Sequence, residues 1–398
     1  MIRGPGPRSA GLLLGVLLSA ACGEAPDRLW EPVVRDSAGV LVVELPAGGP
    51  EEPIRELGLD ASWGPELELG HLADLAVAGD GRVALLDAQA ARVFVLDRAG
   101  EVEAAFGGPG AGPGELDPRG LMTLMATDSL VRVPDLAQRR VSEFSLEGTL
   151  LREERMFAEA GMPVEWRPHP RGGVAIRAMG IDAPDLLLRI REGRVDTLHV
   201  FPRVQVPHNT LLPPTVLWDL TPEGRLVTAR SDQGRVEVLE PGAEVPLLLI
   251  RLPWAPGPLT DGEGRALEDL VVGSEEIGAG GIRLTPEGRE AVLAQVRLPD
   301  RRPVLAGILV APDGSLWIGG TRAVHDMERE ALRVGSTRGW LGRDWLVVAP
   351  DGRSAEMVRF PAGFTPRAFL GSFLYGIMED EMGVQRPARI RAWVDGGR

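Results

Sequence analysis

The apolar positions of this chain come in short runs that alternate with turn residues, a pattern typical of β-strands. The clearest stretch contains four predicted strands, at Ala73 to Ala78, Val83 to Leu86, Arg92 to Asp97 and Val102 to Phe106. An Asp-Gly hairpin turn at Gly79 to Gly81 joins the first two strands. In the fourth strand, Val102, Ala104 and Phe106 fall on one face. The stretch is therefore predicted to form one four-stranded antiparallel unit.

This unit recurs about 48 residues further along the chain without an insertion. Six residues of the first copy reappear in the second: Asp80, Val83, Asp87, Arg92, Val93 and Gly100 match Asp128, Val131, Asp135, Arg140, Val141 and Gly148. Such a unit cannot bury both of its faces alone and has to stack on neighbours, which predicts a β-propeller. We interpret the repeated Asp and Arg positions as turn hydrogen bonds and an ion pair within each blade, rather than as a ring of ligands.

More divergent units follow, which gives an all-β fold of six blades as the best count. They lie at about Val164 to Val200, Trp218 to Leu239, Ile308 to Val348 and Phe369 to Trp393. The last unit is one strand short. We expect the leftover strand Gly39 to Leu45 to complete it, because closing the ring with strands from both chain ends removes exposed sheet edges.

A segment between blades four and five, at about residues 253–303, interrupts the β pattern. Leu267, Leu270 and Val271 have helical spacing, and Thr285-Pro286 is typical of a helix N-terminus. We predict a helical insertion that lies over one face of the propeller.

The first residues of the chain have the organisation of a bacterial export signal, predicted at residues 1–21. Arg3 and Arg8 precede the apolar run Gly11 to Leu18, and Ser19-Ala20-Ala21 leads directly to Cys22, the only cysteine. This arrangement resembles the lipobox of lipoprotein precursors, which implies that Cys22 is lipidated and holds the protein at a membrane. Gly23 after the cysteine is typical of outer-membrane sorting. Residues 22–36 are then a polar tether, and residues 37–398 the propeller.

The repeats also carry a family resemblance. Gly79-Asp-Gly-Arg-Val-Ala-Leu-Leu-Asp87 is followed by Arg92-Val-Phe-Val-Leu-Asp97 and by the linker Gly107-Gly-Pro-Gly-Ala-Gly-Pro-Gly-Glu-Leu116. This pattern resembles six-bladed propellers of the NHL type in bacterial lipoproteins. The resemblance implies a binding or scaffold module in the envelope, whose ligand would be a protein, a peptide or a saccharide. Propeller families differ in activity, so the fold alone does not decide the function.

Composition excludes several chemistries. The formal net charge is −14, and every basic residue apart from the histidines is Arg. An acidic chain without a basic stripe argues against a nucleic-acid partner. Without lysine there is no Schiff-base lysine and no Walker-type phosphate loop. The Gly-rich loop at Gly107 is therefore interpreted as a connection between blades.

An alternative function is a metal-dependent lactonase or esterase with Ca²⁺ or another divalent cation in the central channel. Lactonase propellers use Asn among their ligands, whereas Asn209 is the only asparagine here. The five histidines show no zinc-type spacing, and no Gly-x-Ser-x-Gly motif occurs. We therefore expect no cofactor and no catalytic residue under the favoured interpretation.

The position of the innermost strands places the candidate binding site at the channel mouth. It consists of His71, Asp74, Arg119, Trp218, Asp219 and Arg367. An acidic mouth would favour a cationic or neutral ligand or a protein partner. A saccharide-binding surface would instead show exposed tryptophans on the face of the disc.

Overall fold

The computed structural model describes residues 30–46, 54–64, 67–156, 161–180, 183–204, 210–272, 276–277, 282–283, 285–327 and 338–393. The predicted signal at residues 1–21, Cys22 and Asn209 lie outside these residues. The first four strands do not form a sheet of their own: β1 (Val33–Ser37), β2 (Val40–Glu44), β3 (Arg55–Glu56) and β4 (Leu59–Ser62). Together they are called the N-terminal belt below. No helix within these described ranges is both long and apolar enough to cross a bilayer.

Six antiparallel four-stranded blades follow, as the repeat predicted. Blade 1 contains β5 (Leu72–Val77), β6 (Val83–Asp87), β7 (Arg92–Leu96) and β8 (Val102–Gly107). Blade 2 contains β9 (Met125–Ala126), β10 (Leu130–Asp135), β11 (Arg140–Ser145) and β12 (Leu150–Arg155). Blade 3 contains β13 (Met162–Pro168), β14 (Val174–Met179), β15 (Leu186–Arg191) and β16 (Arg194–Val200). Blade 4 contains β17 (Val216–Leu220), β18 (Leu226–Arg230), β19 (Arg235–Leu239) and β20 (Leu248–Arg251).

The insertion comes next and contains α1 (Asp261–Val272), β21 (Glu276–Ile277), β22 (Ile282–Arg283) and α2 (Pro286–Leu293). Blade 5 contains β23 (Leu305–Val310), β24 (Leu316–Thr321), β25 (Leu341–Val348) and β26 (Ala355–Arg359). Blade 6 contains β27 (Phe364–Leu370), β28 (Phe373–Glu379) and β29 (Gln385–Arg391), and β4 of the belt is its fourth strand.

An apolar cluster fills each of the six interfaces between neighbouring blades. Leu86 and Val93 of blade 1, for example, share a buried cluster with Val131 and Val133 of blade 2. The other interfaces are filled in the same way, including the one between blades 6 and 1, where Tyr375 and Ile377 meet Leu72 and Leu85. Since every blade buries both faces against neighbours, the six units form a closed ring.

The strand that completes blade 6 is not the one predicted. Leu59–Ser62 pairs antiparallel with β29, with Ala61 opposite Arg389. The predicted strand, Gly39 to Leu45, is instead part of blade 4, where β2 pairs parallel with β20 and extends the sheet outward with β1. The ring is therefore closed by an N-terminal strand, but that strand lies about twenty residues later than expected.

The N-terminal belt joins the outer edges of three consecutive blades. Ion pairs fix it in each blade: Glu44 with Arg251 at 3.0 Å in blade 4, Arg55 with Glu356 at 2.7 Å in blade 5, and Asp60 with Arg389 at 2.7 Å in blade 6. Its first described residue, Trp30, exchanges two backbone hydrogen bonds with Ala355 of blade 5. The last residues of the predicted tether, Val33 to Asp36, accordingly lie in β1.

The insertion between blades 4 and 5 is helical, as predicted. Thr260 and Glu263 form a reciprocal cap at the start of α1, and the Thr285 hydroxyl accepts a hydrogen bond from the Gly288 backbone N–H at the start of α2. Leu267 is fully buried with Leu212, Val324, Met327 and Trp340. The insertion thus packs on the connection before blade 4, which contains Leu212, and on the segment between β24 and β25 of blade 5.

The repeated aspartates have the structural role that we predicted. The Asp87 carboxylate is fully buried and accepts hydrogen bonds from the backbone N–H groups of Gly70, His71, Gln89 and Ala90. Asp135 is equally buried and accepts from Asp117 and Gln138. Arg140 forms an ion pair within blade 2, as predicted, but its partner is Glu153 at 3.1 Å and not Asp135.

Candidate functional site

The innermost strands of the six blades surround a central channel with a volume of about 1990 Å³. The lining includes residues of the connections that lead into these strands, such as His71, Arg119 and Ala362. The end at which the innermost strands begin, with the connections between blades, is called the mouth below. The volume exceeds that of a typical small-molecule pocket, which is about 300–1,000 Å³.

The mouth carries charges of both signs. Its lining includes Arg119, Arg322, Arg343 and Arg359 together with Asp326, Asp344, Glu379, Asp380 and Glu381. Several are paired with each other, as Arg359 is with Asp344 at 2.5 Å. The mouth is therefore not strongly acidic, although the whole chain is.

Two of the predicted site residues lie at this mouth. His71 lines it directly before β5, half-buried, on the loop that Asp87 holds in place. Arg119 belongs to a 3-10 turn at Pro118–Gly120, and 83% of its side chain is exposed. It donates hydrogen bonds to Asp117 and thereby lowers the pKa of that carboxyl group to about 2. Arg119 is thus a solvated cation at the rim.

Deeper in the channel, Asp74 joins three blades. Arg367 of blade 6 lies with its Nε 3.2 Å from Asp74 Oδ1, and the Thr123 hydroxyl of blade 2 donates to Asp74 Oδ2 at 2.7 Å. Asp74 and Arg367 are both largely buried, with 12% and 13% of their side chains exposed. Arg367 lies at a β-bulge, where the register of the strand shifts between Pro366 and Ala368. These three residues are called the mid-channel cluster.

A second charged pair crosses from blade 3 to blade 4. Arg167 Nε lies 3.7 Å from Asp219 Oδ1, and the Arg167 guanidinium lies over the ring of Trp218, 5.1 Å from its centroid. Asp219 accepts backbone hydrogen bonds from Leu220 at 2.9 Å and from Val310 of blade 5 at 2.8 Å. Burial raises the pKa of Asp219 above its ordinary value, although Arg167 and the two N–H donors act in the opposite direction.

Glu165, also on the channel wall, belongs to a third charged group. Arg177 lies 2.7 Å from Glu165 and 2.7 Å from Asp185, with only 6% of its side chain exposed. Burial opposes its charge, but the attraction of the two carboxylates raises the pKa of Arg177. Glu165 is therefore neutralised within its own blade.

The far part of the channel is mostly apolar. Ala76, Met125, Arg167 and Leu309 each stand one residue before the last of their strand, and all four are part of the channel wall. The side chains of Met125 and Leu309 are buried in the clusters between blades, with 3% and 7% exposed. Arg167 is the single charged side chain at this position of the strands among the lining residues that the structure describes.

The geometry does not favour the metal-dependent alternative. Among the described residues, no three His, Cys, Asp or Glu side chains come close enough together to hold a cation. Asp74, Glu165 and Asp219 are each beside an arginine instead. The nine tryptophans all lie within described ranges and are buried or half-buried, so none forms the exposed surface that a saccharide site would show.

The sequence located part of this site. Of the six predicted residues, five line the channel, namely His71, Asp74, Arg119, Trp218 and Arg367, whereas Asp219 lies behind the wall. The structure pairs Asp74 with Arg367, and places Trp218 and Asp219 around Arg167. Sequence reasoning missed Arg167, Thr123 and Glu165. Thr123 could have been found, because it follows Leu121 at the position that Asp74 holds after Leu72.

Comparisons with known proteins give no family for this chain. No protein-family model matches the chain, and no curated protein matches it. Among solved structures, a presumed exported protein of Bacteroides fragilis is similar at 9% identity, over 85% of this chain and 99% of that one, with a TM-score of 0.48. Regucalcin, a calcium-binding protein of Agrobacterium tumefaciens, is similar at 11% identity, over 86% and 97%, with a TM-score of 0.43. Virginiamycin B lyase of Staphylococcus aureus is similar at 12% identity, over 80% and 94%, with a TM-score of 0.41.

Proposed function

We propose that this protein is an NHL-type propeller lipoprotein of the bacterial envelope, which binds a ligand in its central channel. Cys22 would carry the lipid that anchors it, at the outer membrane, and the ligand would be a small molecule or a peptide segment that enters by the mouth. The observation that carries the proposal is the channel itself, whose wall changes from charged at the mouth to apolar at the far end.

Support for the anchor comes from the sequence. Ser19-Ala20-Ala21 precedes the single cysteine after a short apolar run. The chain from Cys22 to Trp30 spans at most about 29 Å when fully extended. Trp30 is hydrogen-bonded to Ala355 at the outer edge of blade 5, so the propeller would be held close to the membrane surface.

Support for binding comes from how the channel wall is built. Cross-blade pairs such as Asp74 with Arg367 are rigid, because their members are buried and held by several blades. A preformed wall lowers the ordering cost of binding. A concave volume that combines apolar surface with placed polar groups is typical of ligand sites.

The anchor is tested by Cys22→Ser. The wild-type protein is expected in the outer-membrane fraction and extractable only with detergent, whereas Cys22→Ser is expected in the soluble periplasmic fraction. A mutant that still sediments with membranes would show that lipidation at Cys22 is wrong.

Channel binding is tested by native mass spectrometry of the protein purified from its envelope fraction. Thr365 lines the channel and is partly exposed, so Thr365→Trp is expected to obstruct it. Thr197 lies exposed on β16, and Thr197→Trp is the matched control. We expect a retained small molecule on the wild-type protein and the control, and its loss from Thr365→Trp. Equal retention by all three, or none by any, contradicts the proposal.

A further inference from the structure

Arg167 differs from Arg367 in how its charge is met, although the Nε of each is buried without a hydrogen bond. Arg167 Nε lies 3.7 Å from Asp219, which is too long for a hydrogen bond. About 30% of the side chain remains exposed to the channel. A guanidinium that is held in place without full hydrogen bonding is costly unless another group completes its bonds.

Neighbouring carboxylates do not complete those bonds. Asp219 directs one oxygen to the Leu220 N–H and the other to the Val310 N–H. Glu165 is bonded to Arg177 at 2.7 Å. By contrast, Arg367 has both the Asp74 carboxylate at 3.2 Å and the Pro366 carbonyl oxygen at 2.9 Å.

Trp218 fixes where this guanidinium can be. The Trp218 ring is fully buried, and the Arg167 guanidinium lies 5.1 Å from its centroid. Such stacking orients the planar fork of an arginine and leaves its edge available for a planar anion. Arg167 is therefore pre-organised rather than a flexible surface cation.

We propose that Arg167 binds the anionic head group of an amphipathic monoanion, such as a medium-chain carboxylate, whose apolar part lies along the uncharged part of the channel wall near the ends of the innermost strands. This inference rests on the proposed function and names the ligand class for the same channel. A carboxylate matches the two parallel N–H donors of a guanidinium. The described lining residues near the ends of the innermost strands carry no second charge, so this part of the wall is suited to an alkyl chain.

The test measures binding of octanoate to the full-length protein in detergent by isothermal titration calorimetry. Octanamide has the same chain without the charge, and octyl phosphate replaces the carboxylate with another anion. We expect saturable octanoate binding, with octanamide weaker by at least about tenfold, because a charge-assisted hydrogen bond contributes about 1.5–3 kcal/mol. Tighter binding of octyl phosphate would assign the site to a phosphate ester, which overturns the carboxylate assignment.

Three variants locate the binding. Arg167→Gln is expected to weaken octanoate at least about tenfold, and Arg167→Lys to restore part of that loss through its charge. Arg194→Gln, at an exposed position of β16 outside the channel, is the matched control and should bind as the wild type does. Melting temperatures check that every variant is folded. If octanoate binds with a dissociation constant above about 10 mM, or binds Arg167→Gln as tightly as the wild type, the inference is wrong.

Failure of this inference is distinguishable from failure of the proposed function. A small molecule that is retained by Arg167→Gln but lost from Thr365→Trp would leave channel binding intact and remove only the role of Arg167. Loss of the small molecule from both variants supports channel binding and the role of Arg167. Its retention by both variants contradicts channel binding and the role of Arg167.

Discussion

The Nε of Arg367 lies 3.2 Å from Oδ1 of Asp74, across the interface between the last blade and the first. This interface is the seam of the ring, because the blades on either side of it come from opposite ends of the repeat region. The seam is thus held inside by this ion pair and outside by the pairing of β4 with β29. Both contacts join segments that are about three hundred residues apart.

Asp74→Asn is expected to destabilise the protein, because it leaves the Arg367 charge without its carboxylate in a largely buried place. Removing one partner of a buried pair costs about 3–5 kcal/mol, and partial exposure reduces this to about 2–3 kcal/mol. Urea denaturation measures the free energy of unfolding. Asp196→Asn, on an exposed strand position, is the control and should change it by less than about 0.5 kcal/mol. An equally small effect at Asp74 would mean that the pair does not stabilise the seam.

Two truncated chains test which strand closes the ring. A chain that begins at Ile54 lacks β1 and β2 but keeps β4, so it should remain a folded monomer with a lower melting temperature. A chain that begins at Trp63 also lacks β4 and leaves the edge of β29 open, so it should unfold or self-associate. Circular dichroism and light scattering distinguish these outcomes. Identical behaviour of the two chains would contradict the assignment of β4.

Asp87→Ala should destabilise the first blade strongly, because four backbone N–H groups lose their shared acceptor. Hydrogen bonds to a buried charged group contribute about 1.5–3 kcal/mol each in favourable cases, so a total loss of at least about 3 kcal/mol is expected. Asp135→Ala, at the equivalent position of blade 2, should act in the same direction. Calorimetric melting checks both. Unchanged melting of either variant would contradict the structural role of the repeat.

His169 should make stability depend on pH. It is buried in the first turn of blade 3, and burial, assisted by Arg189 and Arg171, lowers its pKa from 6.5 to about 4. The folded state therefore favours neutral His169, so its stabilisation is present above about pH 6.5 and is lost as the pH falls toward 4. Discounted for solvent screening, the loss is on the order of 1 kcal/mol.

His169→Asn tests this dependence. The Asn oxygen can replace Nδ1 as acceptor for the Arg171 N–H, which is 3.1 Å away, but it does not titrate. Unfolding free energies at pH 7 and pH 5 should differ less in His169→Asn than in the wild-type protein. His325→Asn, at an exposed histidine, should keep the wild-type difference. A variant at His169 with the wild-type pH dependence would contradict the burial argument.

The repeat made the fold predictable because turns and alternation are local properties. Asp-Gly turns, as at Gly79 to Gly81, recur where the chain has to reverse. The closing strand was not predictable in this way. Val40–Glu44 has the stronger apolar pattern, yet Leu59–Ser62 closes blade 6, because at an outer edge one face is solvated and backbone pairing decides.

The site was less predictable than the fold, since it depends on one-residue shifts. Arg367 lies at a bulge of the channel wall, and a bulge changes which side chains face inward. Arg167 lies in the blade whose sequence diverges most from the repeat, so no equivalent position indicated its role. Its contact with Trp218 joins two blades and leaves no local signal in the sequence.

The most direct test of ligand binding in the channel is the rate at which a thiol placed there reacts. Cys22 is the only cysteine, so Thr365→Cys in a Cys22→Ser background gives a single reporter in the channel. Thr197→Cys gives the matched reporter on the outer surface. Addition of the small-molecule extract of the envelope fraction should slow modification of Thr365→Cys at least about tenfold and leave Thr197→Cys unchanged. Unchanged rates at both positions would contradict the account.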